Sequence, residues 1–174
     1  MTTPRPCPVC RADAIRSLAR IEGRDYHRCA ACQAIFLDPA HWLDPEAERQ
    51  RYRLHRNDPA DEGYRRFLAR LADPLLARLA PGSRVLDFGC GPGPALAALL
   101  REAGHEVTLY DPLFFPDPAA LQGTYAAITC TEVLEHLHHP ADELDRLGAL
   151  LRSRGILAVM TALRPAAAGF APGG

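Results

Sequence analysis

Four cysteines open the chain in two pairs, Cys7-Pro-Val-Cys10 and Cys29-Ala-Ala-Cys32, with 18 residues between the pairs. A two-residue gap lets a tight turn aim both sulfurs at one ion, and two such turns complete a tetrahedron. Cys7, Cys10, Cys29 and Cys32 are therefore predicted to bind zinc, or iron, which four thiolates also hold. A second constellation is Asp87-Phe88-Gly89-Cys90-Gly91-Pro92-Gly93, between a predicted strand and a predicted helix. Glycines there let the backbone approach a ligand closely, and the helix start beside them offers amides. A dinucleotide fingerprint needs Gly or Ala at its sixth position; Pro94 stands there, which disfavours a nicotinamide oxidoreductase. Cys90 inside the loop suits packing better than nucleophilic attack, with no base beside it in the sequence.

Asp111 follows the next predicted strand, where a carboxylate can accept two hydrogen bonds from a ribose diol. The competing reading is a turn cap ahead of Pro112. Glu132, Glu135 and His136 fall at i, i+3 and i+4, so a helix would gather them on one face as candidate catalytic groups. Read plainly, they are helix-start carboxylates with a neighbouring histidine. His138 and His139 extend the cluster, and one of the three imidazoles is a candidate general base.

These residues need elements to position them. Tyr26–Arg28 and Ala34–Leu37 read as short strands flanking the second cysteine turn. Residues 38–82 read as helical, with Asp-Pro pairs at 38–39, 44–45, 58–59 and 73–74 as start signals. Tyr64, Phe67, Leu68 and Leu71 mark an amphipathic helix, continued past a kink at Pro74 by Leu75, Leu76 and Leu79. Strands are then predicted at 85–88, 106–110, 125–130 and 156–161, with helices at 94–103 and 140–152. Strands separated by crossovers imply a parallel sheet with ligand sites at its carboxyl ends. The division expected is a metal lobe over 1–37, a helical linker or cap over 38–82, a core over 83–163 and a disordered tail over 164–174.

The 174 residues carry 20 basic and 21 acidic side chains, a net charge of -1, and no lysine. That balance excludes a generally basic nucleic-acid binder. Within residues 1–37, six arginines face three acids. A tetrathiolate zinc site adds about two negative charges, leaving little pull on nucleic acid. No leading apolar stretch or membrane-length run is present, so no membrane association and a cytoplasmic location are expected, with thiols rather than disulfides.

The core resembles the class I S-adenosylmethionine-dependent methyltransferases. Val85-Leu86-Asp87-Phe88-Gly89-Cys90-Gly91-Pro92-Gly93 looks like their first motif, and Asp111 matches their ribose-holding acid. Thr131-Glu132-Val133-Leu134-Glu135-His136-Leu137 is similar to the segment after their fourth strand, and Gly155–Met160 to a later turn and strand. The resemblance implies an α/β, Rossmann-like sheet with flanking helices behind a small zinc ribbon. It implies S-adenosylmethionine as cofactor, cradled by Asp87, Gly89, Cys90, Gly91, Gly93 and Asp111, and a small-molecule methyl acceptor. It also implies a second divalent ion at Glu132, Glu135 and His136 in some relatives, whose ligand types suit magnesium or a transition ion. Arg51–Asn57 or Tyr64 would cover the cofactor's methionine end.

The pattern is short of the family's seven strands. Thirteen residues with three prolines separate Asp111 from Tyr125, and thirteen follow Thr161. The sheet is thus predicted incomplete, as in a C-terminally truncated chain or one completed by a partner, with an exposed edge at 156–161 suited to a homo-oligomer. The rival is a non-catalytic, zinc-dependent binding or scaffold module.

Overall fold

Residues 6–53 and 58–162 are described by a computed structural model. The tail at 164–174 and Leu54–Asn57 lie outside them. Strands β1 (Ile15–Ile21), β2 (Arg24–Cys29) and β3 (Ile35–Leu37) form an antiparallel sheet in that order. The sequence reading did not include β1. Its signal is the two-residue Glu22-Gly23 connection, both residues at positive φ (50° and 79°), the backbone a tight hairpin requires.

Helices α1 (Pro45–Arg53) and α2 (Glu62–Leu76) follow. Asp44 accepts from the amides of Glu46 and Ala47, so this Asp-Pro pair does start a helix. The next helix is capped by Asp61, which accepts from Tyr64, rather than by Asp58. Asp73-Pro74 starts nothing: α2 runs through Pro74, and the Arg78 guanidinium donates to the Pro74 carbonyl at 2.6 Å.

The second sheet contains β4 (Arg84–Phe88), β5 (Glu106–Tyr110), β6 (Tyr125–Thr131) and β7 (Leu151–Met160), all parallel, in the order β5-β4-β6-β7. Helices α3 (Ala95–Glu102) and α4 (Pro140–Leu150) make two crossovers; a short 3-10 turn at Pro118–Gln122 serves between β5 and β6. β7 begins five residues earlier than predicted, with Arg154 at φ 62° kinking its first half.

Alternation on the strands sends side chains to two faces. Val85, Ala127, Ile156 and Ala158 meet Leu68, Leu71, Leu75, Leu96 and Leu100 of α2 and α3. Leu86, Phe88, Ile128 and Cys130 meet Leu147 and Leu150 of α4. The result is a Rossmann-like α/β fold in which, among the described residues, a four-stranded parallel sheet lies between helical layers. Among the described residues β7 has one neighbour, and Val159 on it is 40% exposed. No helix among them is long and apolar enough to cross a membrane.

Candidate functional site

The cysteine pairs close two turns of the same design. In the first, the Arg11 amide donates to the Cys7 carbonyl (2.8 Å) and the Cys7 amide to Ala12 (3.0 Å). In the second, Gln33 donates to Cys29 (3.0 Å) and Cys29 to Ala34 (2.9 Å). Arg11 and Gln33 both take positive φ (61° and 66°), a strained choice for side-chain-bearing residues that turns each chain end away from the sulfurs. Cys7 Sγ lies 3.7 Å from Cys32 Sγ, Cys10 Sγ lies 3.7 Å from Cys29 Sγ, and all four lie within 4.8 Å of one another. Tetrahedral Zn–S bonds of about 2.3 Å put sulfurs about 3.8 Å apart, so the donor set fits one ion. Amides of Cys32 and Ala31 and the other sulfurs pull the Cys29 thiol down to about 7. Cys32, despite the Ala34 amide, is driven up to about 12 by burial and its three sulfur neighbours. Four thiolates this close need a cation among them.

At the carboxyl ends of β4 and β5, the glycine loop meets Asp111. Gly89 has φ 72°, and a Cβ there would lie 2.5 Å from Val133 Cγ2. The loop amides do not stand free as predicted. Gly89 and Cys90 donate to the Tyr110 carbonyl (2.8 and 3.4 Å), because Phe88 and Tyr110 are paired in register. Gly91, at φ 63°, donates to Asp111 Oδ2 at 3.0 Å. Asp111 Oδ1 accepts from Leu113 (2.8 Å) and Phe114 (3.1 Å), so one oxygen caps the turn and the other binds the loop. Burial, reinforced by the Asp87 and Asp111 carboxylates, pushes the Cys90 thiol far above its ordinary range.

Asp87 is buried, and Thr129 on the paired strand donates to its Oδ1 at 2.8 Å. Desolvation raises its carboxyl to about 6 against the bond from Thr129. Thr129 escaped the sequence reading because strand pairing, not spacing, brings it to Asp87. A carboxyl whose folded value exceeds the unfolded one favours the fold most while protonated. This contribution is full below about pH 4 and falls by ~3 kcal/mol as pH rises through 6. Asp87→Asn is therefore expected to be more stable than the parent at pH 7. The gap in urea midpoints should close toward pH 4, and a gap independent of pH would refute the assignment.

No α-helix forms over Glu132–His136. Glu132 sits at φ 53° with its amide bonded to Met160 (2.7 Å), and only a 3-10 turn covers Leu134–His136. The three side chains are not gathered on one helical face. Among the described residues, the four cysteines are the one cluster of three or more His, Cys, Asp or Glu whose ligand atoms can share an ion. Glu132, Glu135 and His136 do not make up such a cluster. The reason is local: the chain must turn at Glu132 to leave β6. Burial, then the Glu135 charge, raises the Glu132 carboxyl.

The metal lobe rests on this same segment. The Ala141 amide donates to Pro8 (3.0 Å), Arg11 bridges Asp142 and Asp145 (2.9 and 2.5 Å), and Trp42 stacks on His138 with centroids 4.0 Å apart. The Tyr52 ring meets His136 edge-on at 5.6 Å. Neither Trp42 nor Tyr52 was singly marked by the sequence, because both act across elements far apart in the chain.

Residues 52–169 match the family model described as methyltransferase domain. The chain is 34% identical over 121 residues to a ubiquinone biosynthesis O-methyltransferase of Xanthomonas campestris pv. campestris (strain B100), covering 55% of this chain and 50% of that protein. It is 28% identical over 154 residues to the Escherichia coli O6:H1 protein of the same name, covering 75% and 59%. A Pectobacterium carotovorum counterpart is 29% identical over 155 residues, covering 75% and 59%. The chain thus spans about half the length of the curated relatives it matches. With a parallel sheet, a glycine loop tied to Asp111 and a family match over most of its length, the chain belongs to the methyltransferase-domain family.

Proposed function

We propose that the protein is an S-adenosylmethionine-dependent methyltransferase acting on an oxygen of a small-molecule acceptor. The observation that carries this reading is the bond from the Gly91 amide to Asp111, which ties the glycine loop to that acid at the carboxyl ends of β4 and β5. S-adenosylmethionine supplies a methyl group on a sulfonium, and its leaving group is a neutral thioether. The protein's work is then to hold donor and acceptor in line and exclude water.

Asp87, Gly89, Cys90, Gly91 and Gly93 shape the loop. Asp111 holds the ribose at Oδ2, exchanging the Gly91 amide for hydroxyls while Oδ1 keeps the turn. Tyr64, half-buried and raised by burial and by the charges of Asp87 and Glu132, covers the neighbouring wall. Glu132, Glu135 and His136 stand on the acceptor side to orient it and take its proton. Residues 1–37 serve as a structural metal lobe, 38–82 as a cap and 83–163 as the transfer core. An oxygen acceptor is supported by the relatives' printed name.

Calorimetric titration with S-adenosylmethionine tests this reading. The parent is expected to release saturable heat. Asp111→Asn, which keeps an acceptor oxygen and loses the charge, is expected to bind about 10- to 100-fold more weakly. No heat from a folded parent would favour a non-catalytic scaffold, in which the loop amides stay permanently bonded to Tyr110 and Asp111.

A further inference from the structure

Between the metal lobe and the segment 134–142 lies a cleft of about 1090 Å³, lined by both. One wall is the β3 face with Phe36; the facing wall carries His136, His138 and His139. Trp42 closes the side, parallel to His138 within 4° and edge-on to His139 at 5.4 Å. At the inner end stands Tyr52. Its phenol is pushed up to about 12, chiefly by burial, then by the Glu48, Asp111 and Glu135 carboxylates against the pull of Arg51. Leu134 in the lining follows Val133, whose methyl carbons lie 2.5 and 2.9 Å from where a Cβ on Gly89 would stand, and this sets one end of the cleft beside the glycine loop.

The lining has a definite chemistry. Eight lining side chains are flat rings, Phe36, Trp42, Tyr52 and five imidazoles, of which His27, His41 and His138 already pair with Asp38, Asp25 and Glu48. Three arginines face four carboxylates, and Arg11 is already held by Asp142 and Asp145. A near-balanced charge gives no pull on a phosphate or a nucleic acid. Flat rings favour stacking against another flat ring, and imidazoles and phenol exchange hydrogen bonds with hydroxyls. The volume reaches the upper end of small-ligand sites, about 1,000 Å³.

We infer that this cleft is the methyl-acceptor site, that the metal lobe forms one of its walls, and that it takes a planar, uncharged, hydroxylated ring compound. This assignment rests on the methyltransferase reading above. The metal lobe is then a specificity element rather than an appendage, since Phe36 belongs to it and the acceptor-side segment is docked on it.

The chain has a single tryptophan, so its indole N–H gives one unambiguous NMR signal inside the cleft. Zinc-loaded, nitrogen-labelled full chain is titrated with 2,3-dihydroxynaphthalene, with S-adenosylmethionine calorimetry on the same samples. The Trp42 signal is expected to shift saturably. Phe36→Ala and His138→Ala are each expected to weaken that binding about tenfold, with the S-adenosylmethionine heat retained as proof of fold. The 2-naphthyl phosphate anion is expected to bind at least about tenfold more weakly than the diol. An unmoved indole beside a normal S-adenosylmethionine heat overturns the cleft assignment alone. Equal or tighter binding of the phosphate overturns the uncharged class. A shifted indole with no S-adenosylmethionine heat overturns the methyltransferase reading, and with it the role of the cleft as an acceptor site.

Discussion

Gly89→Ala is expected to lose ~2–5 kcal/mol of folding stability and all measurable S-adenosylmethionine binding. Two separate penalties add. The backbone at φ 72° lies in a region that costs an L-residue about 1–2 kcal/mol. The new methyl would also lie 2.5 and 2.9 Å from the two Val133 methyl carbons, closer than real Cβ atoms come. Val133 cannot retreat easily, being buried in the cluster formed by Phe88, Ile128 and Leu147, and overpacking of that kind costs about 1–3 kcal/mol. Gly104→Ala separates the two effects: its φ is 86°, yet nothing lies within 4 Å of the added methyl. It should show only the backbone penalty. Pairing Gly89→Ala with Val133→Ala should recover the steric share and leave the backbone share. Urea midpoints measure all four proteins, and a Gly89→Ala variant no weaker than Gly104→Ala would refute the contact.

Stripping the metal is expected to unfold the lobe outright. Among residues 6–52, the buried side chains are Cys7 and Cys29 alone. Three short strands around two cysteines bury too little apolar surface to offset chain entropy, and metal binding then supplies the folding free energy. A strong chelator, or Cys29→Ser, should abolish the amide signals of β1–β3 and cancel the pairing of Ala141 with Pro8. The parallel sheet, whose core is built from α2, α3, α4 and β4–β7, should keep its own thermal transition. Elemental analysis should return one zinc or iron per chain before treatment. Unchanged β1–β3 signals after complete metal removal would show that the lobe stands without it.

The parts legible in the sequence were those governed by local spacing. The Cys-x-x-Cys turns, the alternation of β4 and β6 and the glycine loop each depend on residues a few positions apart. Asp111 was legible as a turn cap, and the structure gives one of its oxygens to the turn and the other to the glycine loop, while its hold on a ribose belongs to the proposed function. Pairings between distant segments were not legible. Thr129 reaches Asp87 only through sheet register, and Trp42 meets His138 only because the metal lobe packs on the segment after β6. A shared helical face for Glu132, Glu135 and His136 was an inference from side-chain spacing alone. The backbone overrules it, since leaving β6 requires a positive φ at Glu132. Pro74 misled in the opposite direction: tertiary packing of Leu71 and Leu75 carries α2 through it.

In a parallel ladder, successive residues turn their peptide groups to opposite sides. Because β7 is hydrogen-bonded to β6 alone among the described residues, its backbone comprises two interleaved sets. One set is locked into the sheet, and the other has no sheet partner among the described residues, with Val159 beside it 40% exposed. Along β7 the described fold therefore leaves a line of peptide groups open to whatever adds there, solvent or a further strand.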